Sequence, residues 1–143
     1  MSDEPPLRRN WRRRGIGGAI CVLPIAIAVA SILWWAMRGT APTPYGLYVV
    51  LLAAVVGVFN FWLSWVRPLI YRLIHGSREG YHFVSGVLAL GTLLVAVGVV
   101  ISFGHVVTAS LALLVLLLDT GGLPWFLAMT WRDSGLWDEA PFR

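Results

Sequence analysis

Residues 45–66 read YGLYVVLLAAVVGVFNFWLSWV, 22 consecutive positions without an Asp, Glu, Lys or Arg. An α-helix rises ~1.5 Å per residue and a bilayer's hydrocarbon core is ~30 Å thick, so ~20 apolar residues cross it once. This stretch is therefore built for lipid rather than water. Its ends are aromatic, Tyr45 and Tyr48 at one and Trp62 and Trp65 at the other, as interfacial belts require. Three further stretches share its character: Ile16–Met37, Phe83–Phe103 and Val106–Trp131. The pattern predicts an all-α polytopic membrane protein, a compact four-helix transmembrane bundle. Its spans lie at about 16–37, 45–66, 83–103 and 106–131, within a single domain covering 1–143.

Composition agrees. The chain has 143 residues, 58% hydrophobic and 13% charged, which excludes a disordered polypeptide and leaves no length for a second domain. The net charge is +4 and all eleven basic residues are arginine. Their placement explains the charge better than nucleic-acid binding does. Residues 1–14 carry Arg8, Arg9, Arg12, Arg13 and Arg14; the first connection has Arg38 beside it; the second holds Arg67, Arg72 and Arg78; the third has none; the tail 132–143 holds Arg132 and Arg143. Cytoplasmic loops retain positive charge. The alternation predicts cytoplasmic N and C termini, an uncleaved first span and residence in a bacterial inner membrane. The five N-terminal arginines are then candidate lipid-headgroup contacts.

The single cysteine, Cys21, excludes an internal disulfide and reads as a packing residue. Small residues recur four apart: Ala26/Ala30, Ala53/Gly57, Ser85/Ala89, Thr92/Ala96 and Gly98/Ser102. Lipid offers no hydrophobic drive between helices, so close approach at small residues must hold them together. Such faces predict a packed bundle, and a protein partner or homo-oligomer.

Two polar groups stand out. The fourth stretch is interrupted by Asp119-Thr120-Gly121-Gly122-Leu123-Pro124, so its helix should kink or break near Asp119–Pro124. From His105, Asp119 lies ~21 Å along a helix, in the cytoplasmic third of the membrane. A central carboxylate costs roughly 2.5–3.5 kcal/mol on insertion scales and usually has a partner or a task. Asp119, Thr120 and Asn60 are the candidate intramembrane polar site. The alternatives for Asp119 are hydration near the interface or a cap on the following helix. The second group is the loop holding His75, Arg78, Glu79, Tyr81 and His82, a candidate interaction surface. The spacings of His75, Glu79 and His82 could align metal ligands on a helix, but Gly76 and Gly80 oppose one there. No metal or cofactor is expected.

No hydrolase elbow, phosphate-binding glycine loop or HExxH motif is present. The expectation is a non-enzymatic multi-pass protein acting by contact, as an accessory subunit or an immunity-type binding protein. The alternative is a small oligomeric ion- or proton-coupled transporter or channel using Asp119.

Overall fold

The computed structural model describes residues 9–39, 42–77, 79–82 and 86–138. It is all-helical among them. Helix α1 spans Trp11–Arg38; Asn10 caps it by accepting the Arg13 N–H, and Gly39 ends it in the left-handed region. Helix α2, Tyr45–Phe61, continues through a π turn at Trp62–Val66 into α3, Arg67–His75. Pro68 explains the π turn. A proline has no N–H to give, and its ring crowds the carbonyl four residues back. Widening the preceding turn relieves that crowding, and the Arg67 N–H reaches back five residues to Trp62 O.

Helix α4 covers only Leu90–Ile101, α5 covers Val106–Leu118, α6 covers Leu123–Thr130 and α7 covers Ser134–Trp137. Three runs are long and apolar enough to cross a membrane: Trp11–Arg38, Tyr45–His75 and Val106–Thr130. They mark the chain as a membrane protein. The third apolar stretch departs from expectation. A helix was expected over 83–103, but α4 has 12 residues, ~18 Å of rise. Residues 86–89 are not helical, and 83–85 lie outside the described residues. The reason is local competition: side chains and backbone from α2 and from the segment after α5 take the hydrogen bonds that a longer helix would make.

Helix α2 packs chiefly against α4 and α5, with α1 along α5 and α4. The core comprises Ala28, Val50, Ala53, Val95, Val99, Ala112, Val115 and Leu116. Alanine and valine fill it, with Leu116 the one larger side chain, and the closest backbone approach falls at glycine, as cohesion in lipid requires. A methyl built on Gly46 would collide with the Gly98 carbonyl, and one on Gly98 would lie 2.7 Å from Gly46 O. Leu52, Val55, Leu93 and Leu117 face outward, the arrangement suited to acyl chains. Cys21 is buried and free, as a packing residue should be.

Polar contacts tie each end of the bundle. At one end Ser102 Oγ accepts the Gly46 N–H and donates to Thr43 O, both at 2.8 Å. The Gly104 N–H donates to Ser31 Oγ at 2.8 Å. At the other end Arg14 pairs with Asp138, so the start of α1 and the segment after α7 lie side by side.

Candidate functional site

Asn60 lies 15 residues into α2, roughly 22 Å from Tyr45, and Asp119 lies ~21 Å from His105. Both helices start at the same end of the bundle, so the two side chains reach the same depth. They meet there. Asn60 Nδ2 donates to Asp119 Oδ1 at 2.6 Å. The same nitrogen donates to Val87 O at 3.0 Å, and Asn60 Oδ1 accepts the Val87 N–H at 2.8 Å. One amide thus satisfies both backbone groups of Val87, in the non-helical segment before α4. Irregular backbone at membrane depth is tolerated only where protein satisfies it.

The second interruption faces the first. Helix α5 ends at Leu118 and α6 begins at Leu123. The Ala89 N–H donates to Gly121 O at 3.1 Å, and the Leu123 N–H donates to Thr92 Oγ1 at 3.0 Å. Thr92, in the first turn of α4, therefore caps α6, whose own N-cap, Gly122, has no side chain to do so. In exchange Asp119 lies against the N-terminal turn of α4: a methyl on Gly91 would strike its Oδ2. A helix N-terminus carries about half a positive charge. Thr92 thus caps α6, while Asp119 stands beside the start of α4 without a cap hydrogen bond to it.

Asp119 and Asn60 are both fully buried, at 0% exposure. Among the described residues Asp119 Oδ2 has no hydrogen-bond partner. The surroundings admit no side chain. A methyl on Gly86 would strike Asn60 Oδ1, one on Gly121 would lie 2.6 Å from Asn60 Nδ2, and one on Gly122 would lie 2.6 Å from Thr92 Oγ1.

Of the three residues read from the sequence, Asn60 and Asp119 come together and Thr120 does not join them. Its hydroxyl donates to Ser64 Oγ at 3.0 Å, toward the π turn. Asp119 does not cap the helix that follows; its carbonyl accepts the Gly122 N–H within the turn. Sequence reasoning missed Thr92, the Val87 backbone and Ser64. In the sequence Thr92 reads only as a small packing residue, and nothing in its spacing marks a cap for a helix about thirty residues on.

The polar loop folds back on α3. Gly76 ends that helix in the left-handed region, so Glu79 and His82 are not on a helix with His75. The Tyr71 and His75 rings stack at 4.1 Å, and Tyr81 meets Tyr71 edge-on at 5.1 Å. The Tyr71 hydroxyl donates to Glu79 O at 3.3 Å. His82 is exposed, and Arg78 lies outside the described residues. Among the described residues no group of three His, Cys, Asp or Glu side chains is placed to hold a metal ion.

The N-terminal arginines divide. Arg9, Arg12 and Arg13 are exposed, and Arg8 lies outside the described residues. Arg14 is buried and does not face outward to headgroups. Its Nε and Nη2 donate to the two carboxylate oxygens of Asp138 at 2.9 Å each, and its Nη1 donates to Trp131 O at 2.7 Å. This forked pairing, with the Asn10 N–H also donating to Asp138 at 3.2 Å, holds the Asp138 carboxyl below its ordinary range. Trp137 packs against α1 at Gly17, where a methyl would strike its ring.

Fold and site together define a membrane protein, all-helical among the described residues, whose polar centre joins the start of α4 to the connection between α5 and α6. No protein-family model, curated protein or solved structure matches the chain.

Proposed function

We propose that the chain is a small, non-enzymatic, multi-pass membrane protein that acts by contact with another membrane protein or with its own copies. In this reading it forms a four-helix bundle in a bacterial inner membrane with both ends cytoplasmic. The carrying observation is a contrast between inside and outside. The intramembrane polar groups are closed on one another, with Asn60 making three hydrogen bonds and Asp119 shut from the surface. That arrangement suits a fastener better than a reaction centre. Outside, α1 leaves Ala19, Ala26 and Ala30 exposed along one line of the helix, where another helix could approach closely. The adjacency of Arg14 and Asp138 supports an even number of crossings. A photo-crosslinker placed at Ala26 or Ala30 in native membranes should yield one protein adduct of defined stoichiometry, reduced by Ala→Leu at the neighbouring site. Recovery of lipid adducts alone would sink the contact reading.

The alternative is a small oligomeric ion- or proton-coupled transporter or channel. The unpartnered Asp119 Oδ2, placed where two helices are interrupted, favours it. Its test is flux in liposomes: Asp119→Asn should abolish transport, and unchanged flux removes Asp119 from the account.

A further inference from the structure

We infer that the seam between α1 and α6 is a binding site for one anionic phospholipid. An acyl chain lies in an apolar groove, and the phosphate sits on Arg9 and Arg132. Two concavities carry the argument. The first, about 430 Å³, is lined by Ile25 of α1, Leu113, Leu116 and Leu117 of α5, and Pro124 and Ala128 of α6, a volume within the usual range for ligand sites. It exists because α6 is offset from α5 by the interruption at 119–122. Trp125 also lines it and is fixed there by its indole N–H, which donates to Leu117 O at 2.9 Å. The second, about 560 Å³, is lined by Arg9, Arg14, Trp131, Arg132, Ser134 and Asp138.

The two lie along the same seam. Ala128 of α6 lines the groove and Trp131, the residue that ends α6, lines the basin, so the two are about one turn apart. On α1, Arg14 and Ile25 are ~16 Å apart along the helix axis. Between them a methyl on Gly18 would touch the Trp131 ring at 3.7 Å, which places α1 directly beside that tryptophan. The seam therefore runs from a basic mouth into an apolar interior, the profile of a phospholipid.

Charge selects the headgroup. Three arginines share the basin with a single carboxylate. Arg14 is satisfied by Asp138. Arg9 is exposed, stacked over Trp11 at 4.0 Å, and Arg132 is exposed with no carboxylate partner among the described residues. Arginine guanidinium groups are well matched to phosphate oxygens. The groove's walls select a chain over a helix. Close helix association in membranes uses small residues, whereas this groove is lined by Leu, Ile, Pro and Trp with Ala128 the one small exception. A thin, flexible acyl chain fits between branched side chains that would hold a helix away.

The test uses the full-length protein in mild detergent and native mass spectrometry, titrated with phosphatidylglycerol or with phosphatidylcholine of the same chains. One phosphatidylglycerol should be retained at least tenfold more strongly than phosphatidylcholine. Arg9→Ala with Arg132→Ala should weaken that retention about tenfold to thirtyfold, while Arg12→Ala with Arg13→Ala, equally basic but outside the basin, should leave it within twofold. Ala128→Phe, which fills the groove at an exposed position, should abolish it. Unchanged thermal midpoints will show that the variants fold. Equal loss from both arginine pairs would mean diffuse charge attraction and overturn the site. So would competition by millimolar glycerol phosphate, which would make the phosphate alone the ligand, or a dimer that Ala128→Phe dissociates, which would make a second copy the occupant.

Discussion

Asn60→Ala is expected to be the most destabilising single truncation in the chain. The amide makes three bonds, at 2.6, 2.8 and 3.0 Å. At the ~0.6–1.7 kcal/mol measured for interhelical bonds in membranes, they are worth about 2–5 kcal/mol together. The upper half of that range is favoured here. Truncation strands the part-buried Val87 N–H and Val87 O and the buried Asp119 Oδ1, and an unsatisfied buried group costs ~1–3 kcal/mol. The assay is equilibrium unfolding in mixed micelles, followed through the eight tryptophans. A double-mutant cycle with Asp119→Ala isolates the 2.6 Å bond, with a coupling of roughly 0.6–1.7 kcal/mol expected. Asn60→Leu, nearly isosteric, should lose about as much as Asn60→Ala, because the loss is of polar partners and not of volume. A loss below ~0.5 kcal/mol in both variants, or a coupling indistinguishable from zero, would refute the view that this amide fastens the interrupted helices.

Three further outcomes are expected. Gly46→Ala should destabilise by ~1–3 kcal/mol or more by forcing α2 from the Gly98 carbonyl; Gly15→Ala, with open space around it, should stabilise by up to ~1 kcal/mol through helix propensity, and the two are compared by thermal unfolding. Ala89 holds φ of 61°, a region costing a non-glycine residue ~1–2 kcal/mol, so Ala89→Gly should be neutral or stabilising by up to ~1 kcal/mol, and a clear loss would show that the Ala89 side chain contributes packing. The Arg14–Asp138 pair should fail in acid: because the folded carboxyl titrates below its unfolded value, its contribution is complete above roughly pH 4 and disappears as pH falls through the folded value. Proteolysis of the segment after Thr130 should therefore rise in that window, and Asp138→Asn should remove the pH dependence.

Much of this was legible in the sequence. Apolar stretches with aromatic ends and arginine between them mark the solvent and the approximate place of the three long apolar helices, because lipid rewards apolar length regardless of neighbours. Glycines and a proline after an acidic residue weaken any helix, and the helical run pauses between Leu118 and Leu123. The sequence could not tell that α4 begins only at Leu90, that Asn60 bonds the non-helical backbone before it, or that Thr92 caps α6. Nor could it tell that Arg14 belongs to Asp138, 124 residues away in the chain, and not to the headgroups. Apolar length and charge are properties of a segment and can be read along it. A hydrogen bond between segments depends on which side chains arrive at the same depth and angle, and only the packing of α2 against α4 and α5 decides that.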